Sequence, residues 1–322
     1  MKKILFIPQR GIGDLIHALP LMHSIKQGFE DSELIIPIVD KRQEEDSYSF
    51  GDLFQGIVNF SYKEIKDSFE EKRISFYRIK DFPDKYKIEE KERNEFEKEI
   101  YEHYLKGEEY DLTIVLRKFN LENIQCQKQF NLNSFEKKEK EHVVERNLRF
   151  TDVLKISKKY CFELNSNEKD SDLNENHIFF VLSSGRPNKK WHIKGYKEVA
   201  DFCLSKDYTP ILIGSKKEYQ MSKEIEKEGI INLVSEDGFL LGLDDFYKIS
   251  KNTKAVIGPD TGLIHLADAS GAKVIGLYGP TRPYRFAPYN NKELVISTNN
   301  TTKSMKDIKS KEVISKLEEI LK

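Results

Sequence analysis

Short apolar runs alternate with amphipathic stretches along most of the chain. The apolar runs are rich in β-branched residues and end at Gly, Pro or polar turns, a pattern typical of buried strands in a parallel sheet. We predict strands at residues 4–7, 34–39, 110–116, 178–182, 209–213, 255–257 and 274–278. Between them apolar residues recur at helical spacing, and we predict helices at residues 15–25, 142–154, 191–204, 217–227, 243–250, 263–269 and 308–321. This alternation predicts an α/β fold made of right-handed βαβ units.

One polar stretch divides the chain into two parts. Residues 165–176 are rich in Asn, Glu, Asp and Ser and have no apolar period, which is typical of a linker. A length of 322 residues suits two domains of about 150 residues each. We therefore expect one domain at 1–165, a linker at 166–176 and a second domain at 177–322. The last helix is expected either to stay with the second domain or to pack back on the first.

Residues 62–110 have a different character from the rest of the chain. Lys and Glu dominate there, with aromatic residues between them. One interpretation is a pair of amphipathic helices whose charges face solvent, and the other is an acceptor-binding lid with aromatic platforms.

Composition restricts the class of protein. A third of the residues are charged but the net charge is −1, so a nucleic-acid-binding protein is not expected. The three cysteines are widely spaced and predict neither a metal site nor a disulfide framework. We see no signal peptide and no apolar run of the roughly 20 residues that a membrane span needs. We expect a cytoplasmic protein and leave open a peripheral contact with the inner face of a membrane.

The first predicted strand leads directly into the glycine-containing turn Gly11-Ile12-Gly13-Asp14. Pro20 is expected to kink or restart the helix that follows. Ile16 stands where the dinucleotide-binding fingerprint needs Gly or Ala, so the turn is a weak dinucleotide signal. Its position at the carboxyl end of a strand makes it a candidate ligand-binding turn.

A second turn of this kind, Asp260-Thr261-Gly262, separates a predicted strand from a predicted helix. A helix start offers unpaired N–H groups and the positive end of a dipole, which suits a phosphate. Gly262 permits a ligand to approach the backbone closely. His265 lies one helical turn after Thr261, so it is expected to reach the same ligand.

These motifs resemble those of glycosyltransferase family 9, the heptosyltransferase family. The resemblance rests on residues 11–20 (GIGDLIHALP), on 260–266 (DTGLIHL) followed by 277–281 (LYGPT), and on Lys189-Lys190-Trp191. The C-terminal block is the specific part, and the matches follow the family's order over most of the chain. Two features depart from the family pattern: His192 stands where Pro is usual, and residues 62–110 match no motif.

The resemblance implies a GT-B fold, in which two Rossmann-like domains face each other across a cleft. The C-terminal domain would then bind a nucleotide-sugar donor and the N-terminal domain an acceptor. It also implies transfer with inversion and without a metal or other cofactor. The one tempting acidic pair, Asp244-Asp245, is expected to serve the start of a helix, where negative charge favours the dipole.

The resemblance assigns the general base to Asp14, on the turn expected to face the cleft. The alternative is that Asp14 only caps the helix that follows it. The expected acceptor-binding residues are Arg10, Gly13 and His17. Arg10 could equally pair with Asp14.

The donor side needs positive charge and N–H donors for the leaving diphosphate. Lys189 is the first candidate, because an ammonium group is a compact charge. Asp260 is expected to bond a donor hydroxyl or to cap its helix, and Trp191 is expected in the core. The further donor-site candidates are Ser183, Ser184, Thr261, Gly262, His265 and Thr281.

We expect the chain to move a sugar, heptose from ADP-heptose, onto a glycan or glycolipid acceptor such as the lipopolysaccharide inner core. A donor with another base or sugar is an alternative. A sugar-nucleotide epimerase and a non-catalytic nucleotide-sugar-binding protein of the same fold are the alternatives outside this reaction class.

Overall fold

Two parallel sheets, each flanked by helices, form the framework of the computed structural model. It describes residues 2–9, 11–38, 62–64, 95, 98–99, 101–102, 105–164, 176–184, 187–239, 241–298 and 304–322. We call the described residues through Leu164 the N-terminal half and those from Asn176 onward the C-terminal half. The predicted linker at 166–176 and most of the charged segment at 62–110 lie outside the described residues, so the domain boundaries stay a prediction.

The N-terminal sheet has the strand order β3-β2-β1-β4-β5, with every neighbouring pair parallel. Its strands are β1 (Lys2–Ile7), β2 (Ser32–Ile38), β3 (Tyr62–Glu64), β4 (Glu109–Val115) and β5 (Gln125–Asn131). The chain winds outward from β1 in one direction and from β4 in the other. The carboxyl ends of β1 and β4 therefore flank the switch point, which is where open α/β sheets bind ligands.

The N-terminal half contains the helices α1 (Ile12–Ile16), α2 (Leu19–Gly28), α3 (Val143–Leu148) and α4 (Phe150–Leu154). The described residues 95, 98–99 and 101–102 are helical as well. Pro20 occupies the first turn of α2, where its missing N–H costs no helical hydrogen bond. The predicted restart at Pro20 is thus confirmed. The helix predicted at 142–154 is divided at Arg149, which ends α3 and precedes α4.

The C-terminal sheet repeats this winding, with the order β13-β12-β11-β6-β7-β8. Its strands are β6 (His177–Val181), β7 (Thr209–Ile213), β8 (Ile231–Asn232), β11 (Ala255–Pro259), β12 (Val274–Tyr278) and β13 (Ile296–Ser297), and a small antiparallel pair comprises β9 (Val234–Ser235) and β10 (Gly238–Phe239). The switch point here lies between β6 and β11. The segments that follow these two strands carry all the predicted donor-site residues except Thr281, which follows β12.

The helices of the C-terminal half are α5 (Ile193–Leu204), α6 (Tyr219–Ile225), α7 (Leu243–Ser250), α8 (Gly262–Ala269), α9 (Pro283–Phe286) and α10 (Ser310–Leu321). Single 3₁₀ turns lie at Leu132–Ser134, Pro187–Lys189, Lys216–Glu218, Lys292–Leu294 and Met305–Asp307.

The last helix stays with the C-terminal half. Val313 and Leu317 of α10 are fully buried and share an apolar cluster with Val199 and Cys203 of α5. The alternative in which this helix packs back on the first domain is therefore wrong for α10, because its apolar face is already covered by α5.

The sequence pattern did not predict β5. Its residues, Gln125–Asn131, are mostly polar and only the last is buried. They form the edge of the sheet beside β4, where one side of the strand has no partner strand and burial is slight. An edge strand of this kind lacks the apolar run by which a central parallel strand is recognised.

One apolar cluster joins the two halves. It includes Ile12 and Leu15 of α1 together with Leu263 and Ile264 of α8. The starts of α1 and α8, which follow β1 and β11, consequently pack against each other.

The position of α10 leads to a stability prediction. Leu317→Ala removes a fully buried side chain and should lower the free energy of unfolding by about 2–5 kcal/mol. Glu318→Ala, an exposed neighbour on the same helix, should change it by no more than about 0.5 kcal/mol. Urea unfolding followed by far-UV circular dichroism measures both. Equal effects of the two substitutions would contradict the burial of this face.

Candidate active site

Two backbone turns meet at the centre of the molecule. One comprises residues 11–14 after β1, and the other comprises residues 260–262 after β11. A Cβ placed on Gly262 would lie 2.7 Å from the Ile12 Cβ, and one placed on Gly13 would lie 2.6 Å from the His265 Cδ2. Neither turn has room for a side chain at these positions. We call this contact the turn junction.

Asp14 is the third residue of α1, in its first turn. The N-cap position belongs to Gly11, whose φ of 92° is a conformation that glycine adopts readily. The interpretation of Asp14 as the helix cap is therefore wrong, because the helix begins earlier than that interpretation requires. The Asp14 carboxylate can instead interact with groups at the turn junction.

The environment of Asp14 raises its pKa to about 6. Burial is the largest cause, and the negative charge of Asp260 adds to it. The positive charges of Arg117 and Arg146, together with His265, oppose the shift without cancelling it. Asp14 can therefore take up a proton near neutral pH, as a general base must.

Arg117 and Arg146 were not predicted as site residues. Arg117 lies two residues after β4, at the same sheet edge as Asp14, and Arg146 belongs to α3. The Arg146 guanidinium donates to Gln9 Oε1 at 2.8 Å and to Asn147 Oδ1 at 3.0 Å. The position of Arg117 at the carboxyl end of a strand was a usable signal, whereas nothing local to α3 marked Arg146.

On the other side of the junction, Lys189 and His265 both bond the carboxylate of Asp260. The Lys189 Nζ lies 2.6 Å from Asp260 Oδ2 and 3.3 Å from the Asp260 carbonyl oxygen, and the His265 Nε2 lies 3.2 Å from Oδ1. Burial raises the pKa of Asp260, but the bond to His265 and the charge of Lys189 outweigh it and hold this pKa well below its usual range. Asp260 thus stays ionised and orients both partners. It does not cap α8, since Thr261 occupies the N-cap position.

The start of α8 carries polar groups without partners. No side chain bonds the first turn of α8 from the cap position of Thr261, and the Thr261 Oγ1 is buried with no hydrogen-bond partner. The Oγ1 of Thr281, which follows β12, is likewise buried without a hydrogen-bond partner. Buried hydroxyls normally find a partner, so a ligand is a natural one here. The predicted Ser183 and Ser184 follow β6, the strand beside β11.

The three predicted acceptor-binding residues lie in different surroundings. Arg10 lies outside the described residues. Gly13 faces His265 within the turn junction. His17 is only 3% exposed, and its ring lies between those of His142 and His265. The packing of the two halves therefore covers His17. Gly13 is partly exposed, and its acceptor-binding role stays a prediction.

His192, the departure from the family pattern, has a clear structural role. Its Nδ1 accepts from the Gly195 N–H at 2.8 Å, so it caps α5 in place of the usual Pro at the helix start. Trp191 beside it is buried and donates from Nε1 to the Ile308 carbonyl at 3.0 Å, which confirms its prediction as a core residue.

Asp244, in the first turn of α7, pairs with Lys248. Across the part of the chain that the structure describes, no three His, Cys, Asp or Glu side chains are grouped as a metal site would require. Within those same ranges, no helix has both the length and the apolar character to cross a bilayer.

Comparison with known proteins places the fold and the motifs in one family. The model of glycosyltransferase family 9 (heptosyltransferase) matches residues 120–316. Lipooligosaccharide heptosyltransferase 2 of Haemophilus influenzae is 30% identical over 117 residues, which are 34% of this chain and 33% of that protein. Lipopolysaccharide core heptosyltransferase OpsX of the same organism is 30% identical over 128 residues, 39% of this chain and 37% of that protein. The matched region thus spans about a third of the length of these curated relatives.

Solved structures agree over the whole chain. The E. coli heptosyltransferase WaaC with ADP has a TM-score of 0.73 at 16% identity and covers 99% of both chains. E. coli ADP-heptose lps heptosyltransferase II has a TM-score of 0.66 at 17% identity, covering 99% of this chain and 98% of that one. At this level of identity the likeness shows the fold, and it confirms the expected GT-B architecture.

The match at residues 120–316 takes in more than half of the 322 residues, and it includes the Lys189 turn and the Asp260 turn. The N-terminal turn that carries Asp14 lies before it and resembles the same family by its motif. The chain belongs to glycosyltransferase family 9, the heptosyltransferase family.

Proposed function

We propose that this protein transfers a sugar from a nucleotide diphosphate to an acceptor hydroxyl with inversion at the anomeric carbon. The observation that carries the proposal is the turn junction, which brings a carboxylate with a raised pKa close to a lysine-bearing turn and an uncapped helix start. A base and a site for a leaving diphosphate are what a single displacement requires.

Asp14 receives the proton of the attacking hydroxyl. The hydroxyl oxygen forms a bond to the anomeric carbon while the bond from that carbon to the diphosphate oxygen breaks, and the diphosphate leaves with the electron pair. With a pKa of about 6, the Asp14 carboxylate is ionised at neutral pH yet basic enough to hold the proton in the transition state. Arg117 and Arg146 provide positive charge near Asp14.

Lys189 and the first N–H groups of α8 hold the diphosphate. A helix N-terminus attracts an anion through its free N–H groups and its dipole. Asp260 keeps the Lys189 ammonium at this edge of the sheet by their 2.6 Å contact. The hydroxyls of Thr261 and Thr281, which lack partners, add donors for the phosphates or the sugar.

The donor we propose is ADP-heptose, and the acceptor is the inner core of a lipopolysaccharide or a similar glycolipid. Support comes from the family, from relatives named as lipopolysaccharide heptosyltransferases, and from the fold shared with WaaC, whose solved structure contains ADP. The reaction we propose needs no metal, because Lys189 and α8 supply the positive charge. An acceptor anchored in a bilayer would bring the protein to the inner membrane surface.

The choice of nucleotide can be tested by thermal unfolding. We expect ADP to raise the unfolding temperature more than UDP or GDP, since a ligand at 100 times its Kd stabilises the folded state by about 2.7 kcal/mol. Addition of EDTA should leave the ADP-induced shift unchanged. Equal shifts for all three nucleotides would contradict the assignment of the donor base.

Substitution of Asp14 tests the base. Asp14→Asn should lower kcat/KM for ADP release in the presence of acceptor by about 10²–10⁴-fold, because general-base catalysis contributes about that much. In the wild type, kcat/KM should rise as pH increases through about 6 and then level off, since protonated Asp14 cannot accept a proton. A wild-type profile that is flat between pH 5 and 8 would contradict this role, as would near-normal turnover by a folded Asp14→Asn variant.

Lys189→Ala tests the diphosphate site. Loss of a charge-assisted bond worth about 1.5–3 kcal/mol should weaken ADP binding by at least about tenfold, which isothermal titration calorimetry measures. Lys194→Ala is the matched control, because Lys194 is 82% exposed on α5 and should bind ADP as the wild type does. Unchanged ADP affinity in a folded Lys189→Ala variant would remove Lys189 from the site.

A further inference from the structure

Three histidines from separate elements meet beside the turn junction. His17 follows α1, His142 precedes α3, and His265 belongs to α8. The ring centroids of His17 and His265 are 4.3 Å apart, and those of His17 and His142 are 5.5 Å apart. The three rings are buried, at 3%, 7% and 4% exposure. His17 and His142 belong to the N-terminal half and His265 to the C-terminal half, so the cluster lies across their contact.

His142 links the two halves through a single neutral ring. Its Nδ1 accepts from the Val144 N–H at 3.2 Å, which caps α3 and leaves the ring proton on Nε2. Nε2 then donates to the carbonyl of Ala287 in the C-terminal half at 3.0 Å. Protonation of Nδ1 would turn that acceptor into a donor facing the Val144 N–H. A charged His142 therefore cannot keep its cap.

Packing and a backbone hydrogen bond hold His17 in place, whereas its two ring nitrogens make no hydrogen bond. Its carbonyl accepts from Asn147 Nδ2 at 3.2 Å, whereas Nδ1 and Nε2 are both buried without a partner. The Nδ1 of His265 is buried without a partner as well. Buried polar atoms without hydrogen bonds disfavour the state that buries them. Separation of the two halves would hydrate all three atoms.

Burial and the neighbouring positive charges oppose protonation of His17 and His142. Burial is the main cause that holds the pKa of His17 well below its usual range, and His265, His142 and Arg146 act in the same direction. Burial also lowers the pKa of His142 to about 4, with Lys292 and His265 adding to the effect, while the bond to Ala287 and the charge of Glu145 oppose it. On the side of α8, the carboxylates of Asp14 and Asp260 face His265, and Asp268 lies further along the same helix.

We propose that His17 and His142, with His17 packed against His265, form a latch that holds the Asp14 turn against the donor turns while both imidazoles are neutral, and that opens when either of them takes up a proton. These are positioning residues for the transfer proposed above, and that part of the inference rests on the proposed function. The opening itself does not, because it depends only on the contact between the two halves.

The direction of the pH effect follows from the histidine pKa values. A histidine whose pKa is lowered in the closed form is neutral there and takes up a proton more readily once it is hydrated. Closure is therefore at full strength above the ordinary histidine pKa of 6.5 and weakens as pH falls from there toward about 4, the lowered value of His142. Carboxylates with ordinary pKa values of about 4 titrate in a lower range. Asp14 is the exception: its pKa is raised to about 6 in the closed form, so its protonation favours closure and opposes the effect of the histidines.

Small-angle X-ray scattering measures the opening without any need for turnover. The wild-type radius of gyration should increase reversibly as the pH falls from 8 to 5, with unchanged far-UV circular dichroism. His17→Leu, which removes the buried ring nitrogens and keeps an apolar side chain, should reduce this increase by at least half. His142→Asn keeps a side chain that caps helices well but loses the bond to Ala287, so it should give a larger radius already at pH 8.

His192→Asn is the matched control. His192 also caps a helix through Nδ1, at 2.8 Å from the Gly195 N, and bonds a carbonyl through Nε2, at 3.3 Å from the Ile308 O. Both partners lie in the C-terminal half, so this variant should open with pH as the wild type does. A second readout is kcat/KM, which His142→Asn should lower at pH 8 while the acid limb assigned to Asp14 stays near pH 6.

Three results would overturn the latch: a wild-type radius independent of pH, a full wild-type response in His17→Leu, or loss of the response in His192→Asn. Failure of the proposed function would give a different experimental result. If the protein opens with falling pH but releases no ADP in the presence of acceptor, the latch is supported and the transferase function is contradicted. If the protein transfers the sugar but its radius of gyration does not change with pH, the transferase function is supported and the latch is contradicted.

Discussion

The close backbone contact between Gly262 and the Ile12–Gly13 segment determines where every group of the candidate site lies. Because a Cβ at Gly262 would come within 2.7 Å of Ile12, the two turns approach more closely than turns with side chains could. Each turn follows a strand at the switch point of its sheet, so the contact brings two ligand-binding edges face to face. A reaction between a donor on one sheet and an acceptor on the other needs this arrangement.

The surroundings of this contact also shift the pKa values of two carboxylates in opposite directions. Asp14 is half-buried, and desolvation raises its pKa to about 6 in spite of the positive charges nearby. Asp260 is more deeply buried, but Lys189 and His265 bond it directly and hold its pKa far below normal. Pairs of titratable groups whose environments push their pKa values apart are typical of acid–base sites. One carboxylate can exchange a proton near neutral pH, and the other keeps its charge to orient a lysine and a histidine.

Much of this could be predicted from the sequence, for physical reasons that differ between elements. Central strands such as β6 and β11 are apolar over their whole length because both faces are covered, so their runs are unmistakable. The edge strand β5 is largely polar and was not predicted. The GT-B architecture came from motif resemblance, since periodicity alone indicates only βαβ units. The structure confirmed it through its likeness to solved heptosyltransferases.

The candidate site was predictable only where a strand end marks it. Asp14, Lys189 and Asp260 follow strands or belong to motif turns. Arg146 belongs to α3 and His142 caps it, and the packing of this helix against the junction depends on contacts distant in sequence. His17 was expected at an acceptor surface because it lies one turn from Asp14. Burial by α8 and by the segment before α3 places it inside the contact instead. Asp14 was expected as a possible cap, but the helix start is set by Gly11 and its positive φ.

The central claim is that Asp14 activates an acceptor hydroxyl for one direct displacement across the turn junction. The anomeric configuration of the transferred sugar tests this most directly, by the one-bond carbon–proton coupling at the anomeric carbon in an NMR spectrum of the product. A single displacement predicts a configuration opposite to that of the nucleotide sugar supplied. A product with the configuration of the donor would contradict the account.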